Sequence, residues 1–153
     1  MQLSGVFLQL GEERFPQLLR GISIGKLRTY QLYERFKIRT HLPKVNTENL
    51  KKAAPRFLKR LQEQDEEFAT DLSQAILISH MEMITAVLNF LGVPNEQGFF
   101  PKDLNAKQYL TEGWQTRAYE HFKNEYPESL LLFYINHLAW EMAGEQTAFL
   151  PAA

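Results

Sequence analysis

Residues 65–91, DEEFATDLSQAILISHMEMITAVLNFL, decide the fold class. Asp65, Glu66 and Glu67 open the stretch, where negative charge suits the positive end of a helix dipole. Apolar residues then recur at helical spacing as far as Leu91, and Gly92 and Pro94 supply the left-handed cap and the breaker that end a helix. The spacing predicts one helix over 65–91. A second stretch, 127–143, PESLLLFYINHLAWEMA, has the same character, with Pro127 at its start and Gly144 as its stop. His80, Glu82 and Asn89 interrupt the first stretch, and Asn136, His137 and Glu141 interrupt the second. Their strongly apolar parts, Ala75 to Leu91 and Leu130 to Met142, fall short of the roughly 20 apolar residues that cross a bilayer, so both read as core helices and no membrane role is expected.

The flanking sequence is helical too. Leu3, Val6, Phe7 and Leu10 share one face, and Phe15, Leu18, Leu19 and Ile22 repeat the pattern with Pro16 in a permitted first-turn place. Gly25 reads as a separator before a helix from about Lys26 to Lys37, and residues 39–46, with Pro43, read as a connector. Asn46 or Thr47 can cap a helix striped by Leu50, Ala54, Phe57, Leu58 and Leu61. Pro55 in that helix implies a kink, or a break around Ala54. Residues 92–103 form the longest loop, with Phe99 and Phe100 exposed. Asp103 is placed to cap a short helix through Leu110, and Leu110, Trp114, Ala118 and Phe122 form a stripe that Pro127 closes. The segment from Gly144 to Ala153 reads as loosely held. No Val/Ile/Thr-rich alternation argues for a sheet. The expectation is a single all-α domain, a bundle of about five to seven helices centred on 65–91 and 127–143.

The 153 residues are 44% hydrophobic and include no cysteine, which excludes a disulfide framework, a thiolate metal site, an iron-sulfur cluster and a cysteine nucleophile. Met1 to Leu10 carries no basic leader, and the chain is expected to be cytoplasmic. The net charge of −1 hides an asymmetry: residues 1–64 hold 13 Lys and Arg against 5 Asp and Glu, whereas residues 65–153 hold 4 against 13. Between Lys26 and Arg60 the basic residues include Lys37, Arg39, Lys51, Lys52, Lys59 and Arg60, interleaved with Tyr30, Tyr33 and Phe36. Cations neutralise phosphates and aromatic faces stack on bases, so this segment is a candidate nucleic-acid surface, although the whole-chain pI of 6.4 is not that of a dedicated binder.

Candidate metal ligands are few. His137 and Glu141 lie one helical turn apart, a spacing that fits either a divalent metal or a plain imidazole–carboxylate pair. His80 falls on the apolar face of its stretch with Leu77, Ile84, Val87 and Leu91. A catalytic centre needs a third ligand, and His80 or His121 are the candidates that folding could bring to His137 and Glu141. The segments ISHMEM around His80 and YINHLAWEM around His137 resemble the damage-inducible, metal-binding four-helix-bundle family, whose members place histidines on separated helices. The family's usual C-terminal pair of histidines is replaced here by His137 and Glu141. The resemblance implies a bound metal that activates water or a thiol.

No Gly-rich phosphate loop, nucleophile elbow or H-E-x-x-H helix is present. The reading that follows is a non-catalytic helical interaction module, self-associating as a homodimer or binding a partner protein. Its exposed surface would be the basic half or the aromatic loop with Phe99 and Phe100. A metal-dependent enzyme using His80, His137 and Glu141, and nucleic-acid binding through residues 26–60, are the alternatives.

Overall fold

The computed structural model describes residues 2–32 and 52–151. The chain is all-α: among the described residues there are eight α-helices, one 3-10 turn and no β-strand beyond a single isolated bridge. No single described helix is long and apolar enough to cross a membrane. Contacts divide the chain into two units, Met1–Ser79 and His80–Ala153.

The first unit contains α1 (Leu3–Gln9), α2 (Phe15–Leu18), α3 (Ile24–Thr29), α4 (Ala54–Gln62) and α5 (Glu66–Ser79). α1 packs on α4 and α5, α2 on α4, and α3 and α4 on α5. The predicted apolar stripes meet here: Phe7 and Phe15 are edge-on at 6.2 Å, and Phe57 and Phe68 at 5.3 Å, all four fully buried. Such pairs add about 1 kcal/mol each beyond the area they bury. Gln2 gives α1 no side-chain cap, and the Glu66 carboxylate of α5 accepts the Ser4 N–H instead, at 3.1 Å. An orphan donor of one helix is thus satisfied by the first turn of another.

Several boundaries differ from the sequence reading. Gly25 lies inside α3 rather than before it, and α3 stops at Thr29, whose hydroxyl turns back to the Gly25 carbonyl at 2.8 Å. Gln31 then takes φ 56°, so the helix expected from Lys26 does not run on through it. The connector at 39–46, the cap at Asn46 or Thr47, and Lys37, Arg39 and Lys51 lie outside the described residues. Pro55 marks a break, not a kink: α4 starts at Ala54 with Pro55 in its first turn, where the missing N–H removes no helical bond.

The long helix over 65–91 is two helices. Asp65 caps the first by accepting the Phe68 N–H at 3.0 Å, and α5 ends at Ser79. The Ser79 hydroxyl donates to the Ala75 carbonyl at 2.7 Å and accepts the Ser23 N–H at 2.9 Å. The bond from Ser23 ties the end of α5 to the segment before α3. His80 follows with φ −130° and ψ 38°, and its carbonyl accepts the first N–H bond of the next helix, from Ile84 at 3.1 Å. Leu77 and His80 therefore do not continue one helical face into Ile84.

The second unit contains α6 (Met81–Leu91), a 3-10 turn (Ala106–Tyr109), α7 (Trp114–Phe122) and α8 (Glu128–Ala143). α8 is its centre, buried on every side from Ser129 to Ala139, and it packs on α7 and the 3-10 turn, while α6 packs on α7. A helix apolar all round has no solvent face to present. Gly92 and Gly144 cap α6 and α8 in the left-handed conformation, as the sequence predicts. Asp103 does not cap the 3-10 turn; it sits at φ 64° in the preceding bend, and Asn105 occupies the cap position without a side-chain bond.

The segment after α8 is not loose. Asn136, buried on α8, donates to the Phe149 carbonyl at 3.0 Å and accepts the Phe149 N–H at 2.6 Å. Its amide also donates to the Leu132 carbonyl at 2.8 Å, and the Phe149 ring lies 6.1 Å from that of Tyr119.

Candidate interaction surface

The loop after α6 closes into a two-residue hairpin. Glu96 and Phe99 exchange backbone bonds, Glu96 N–H to the Phe99 carbonyl at 2.7 Å and Phe99 N–H to the Glu96 carbonyl at 3.0 Å. Between them Gln97 takes φ 53° and Gly98 φ 92°, the two positive values of a type I′ turn. A glutamine there is uncommon, and such backbone persists only where the surroundings over-determine it. Asn95 does so: its Oδ1 accepts the Gly98 N–H at 3.0 Å, and its Nδ2 donates to Asn89 Oδ1 at 2.9 Å and to the Val93 carbonyl at 3.0 Å. Gly98 also lies so close to α6 that a Cβ would meet Met81 Cε at 2.6 Å and Thr85 Oγ1 at 2.9 Å.

This rigid turn carries Phe99, which is 59% exposed, the most open large apolar side chain among the described residues. Covering that ring is worth about 2 kcal/mol, roughly 30-fold in affinity. Phe100, expected to be exposed with it, is partly covered. A second aromatic feature escaped the sequence reading: Phe90, 40% exposed, stacks on His121 at 4.2 Å and meets Phe122 edge-on at 5.5 Å. Phe90 lies off the buried stripe of α6, and that displacement was its only signal in the sequence. Asn95 and Asn136, which fix the two loops, gave no signal because most of their partners are backbone groups, which leave no trace in the residue pattern.

In the first unit, Lys52, Lys59 and Arg60 are exposed, and Arg60 is paired with Asp65 at 2.9 Å. Lys52 stands with Glu12 beside an open groove of about 550 Å³ that Pro16, Pro55 and Leu58 help to line.

His137 is 7% exposed and its Nδ1 lies 3.4 Å from Glu141 Oε2. Burial drives the imidazole down to about 4, so it is neutral at physiological pH, and burial raises the Glu141 carboxyl. Tyr134 joins them, its phenol pushed up by burial and then by the Glu141 charge. The ring of His137 lies 5.8 Å from that of Phe133 and 5.9 Å from that of Trp140. A neutral imidazole beside a carboxylate has the donor chemistry for a divalent metal, but among the described residues no three His, Cys, Asp or Glu side chains form a group that could hold one. His80 is half-buried, its own imidazole lowered by burial, and its Nε2 has no hydrogen-bond partner. His121, the other proposed third ligand, is engaged with Phe90. The described residues thus do not bring together the third ligand that a catalytic metal centre at His137 and Glu141 needs.

Compared with known proteins, the chain matches no family model, no curated protein and no solved structure.

Proposed function

We propose that this protein is a non-catalytic interaction module of the cytoplasm that binds a partner protein through the hairpin at residues 95–99, with Phe99 as the anchor. One observation carries the reading: an aromatic ring is left open to solvent on a backbone fixed by three side-chain bonds from Asn95 and by the close approach of Gly98 to α6. Rigid aromatic anchors dominate interface energetics, because a pre-ordered ring loses little conformational freedom on binding. The partner side that fits is an apolar pocket wide enough for one phenyl ring. The exposed Glu96 and Gln97 beside it would stand at the polar rim.

Affinity enrichment from the native cell tests this with the wild-type chain and Phe99→Ala side by side. A protein held by the wild type and lost by a variant of equal melting temperature supports the reading. Identical sets of bound proteins would remove it.

A further inference from the structure

Phe90 stands in a surface row of rings rather than alone. His121 stacks on it at 4.2 Å with the planes 14° apart, Phe122 meets it edge-on at 5.5 Å, and Tyr126 lies 5.8 Å from Phe122. The N–H groups of Glu125 and Tyr126 both donate to the Phe122 carbonyl, at 2.9 and 3.2 Å, so the chain keeps a helical turn past the end of α7. Glu125 therefore follows His121 by one turn, and Tyr126 follows Phe122. On α6, Glu82, Ala86 and Phe90 share a face about 12 Å long by the same spacing. The two lines run in opposite directions: Phe90 meets His121 and Phe122, while Glu82 acts with Glu125 on the Tyr126 phenol, which burial and then these charges push up.

The strip thus has an aromatic stack at one end and two carboxylates at the other. Glu82, Phe90, His121 and Glu125 are all exposed. Its local cations are already engaged: Arg117 turns back to the Glu112 carbonyl and the Thr111 hydroxyl, each at 2.8 Å, Lys123 pairs with Glu120 at 2.6 Å, and α6 carries no Lys or Arg. Glu82 and Glu125 form no ion pair among the described residues. Phosphate groups are repelled by such a surface, and a purely apolar occupant would strip water from two unpaired carboxylates. Ring faces and carboxylates both attract cations. Arginine satisfies both best, because its guanidinium is planar, stacks on aromatic faces, forks a carboxylate and is weakly hydrated, whereas the lysine ammonium is a strongly hydrated point charge.

We propose that the strip formed by Phe90, His121, Tyr126, Glu82 and Glu125 binds an arginine-bearing basic segment of a partner protein. The guanidinium lies on the Phe90–His121 stack or between the two carboxylates, and its apolar stem covers Ala86. This surface is separate from the Phe99 hairpin: Gly98 approaches α6 at Thr85, and Phe90 lies five residues on, about 140° round the helix.

Fluorescence anisotropy tests the assignment, with the full chain titrated into a labelled peptide of six arginines and, separately, one of six lysines. The arginine peptide should bind several-fold more tightly. Glu82→Gln combined with Glu125→Gln removes no core contact and should weaken it about tenfold or more. Glu12→Gln combined with Glu63→Gln removes the same charge from exposed positions in the first unit and should cost far less. Phe90→Leu keeps an apolar side chain without the ring and should bring arginine down to the level of lysine. Equal affinity for the two peptides, or equal losses in the two double variants, would overturn the proposal. So would a chain that assembles with itself and is separated by the arginine peptide, since its own basic half would then be the occupant.

Discussion

The absent Cβ of Gly98 would lie 2.6 Å from Met81 Cε. The hairpin tip and α6 are therefore in contact at a position where any side chain must push Met81 and Thr85 aside, and the same glycine supplies the φ of 92° that the turn requires. Two independent constraints thus fall on the residue next to Phe99.

Gly98→Ala tests both at once. The methyl must displace the end of Met81, which is flexible, and the Thr85 hydroxyl, which is held by the Met81 carbonyl at 2.8 Å, while the backbone stays at positive φ. The expected loss is about 1–3 kcal/mol in chemical denaturation. A variant as stable as the wild type would mean that the turn is not packed as described.

Asn95→Ala should loosen the turn without unfolding the unit, since it removes three bonds of a half-buried side chain outside the core. Amide hydrogen exchange at Gly98 and Phe99 should quicken by about tenfold or more, while α8 keeps its protection.

Glu66→Ala should destabilise the first unit by about 1–2 kcal/mol, the worth of a charged group on a helix-terminal N–H. Glu66→Gln keeps the acceptor and should lose less. Urea melts of the two variants beside the wild type distinguish a cap from a bystander.

His137 sets a pH dependence. Its imidazole is held down to about 4 by burial, against an ordinary 6.5, so between these values the unfolded chain binds the proton and the folded chain does not. Stability is complete above pH 6.5 and falls as pH drops toward 4, by up to about 3 kcal/mol. Glu141 works in the opposite direction, because its raised carboxyl takes up a proton in the folded state first and so favours folding as pH falls through that range. In His137→Gln the acid-side loss should shrink, checked by denaturation midpoints from pH 4 to 8. An unchanged profile would assign the pH dependence to other groups.

Much of this was legible in the sequence. The all-α class, the stripes of α1, α4 and α7, and the glycine caps at Gly92 and Gly144 follow from apolar spacing and backbone chemistry. The break at His80 was not legible, because the apolar period runs unbroken through it. At the end of α5 the Ser79 hydroxyl accepts the Ser23 N–H, a contact between residues far apart in the chain. The exposed Phe99 was readable from a loop rich in glycine and proline. Its rigidity was not, since that rests on where Asn95 and Met81 stand in space. The same holds for Asn136, an ordinary polar residue in a helix until Phe149 is brought to it.

The most direct test of the central claim, that Phe99 on a fixed hairpin anchors a partner protein, is photo-crosslinking inside the native cell from a photoreactive phenylalanine at position 99, alone and combined with Asn95→Ala. The account predicts a discrete adduct with one protein from position 99, absent from the same probe at Leu150 and reduced several-fold when Asn95 is removed. No adduct at position 99, or an adduct indifferent to Asn95, would contradict it.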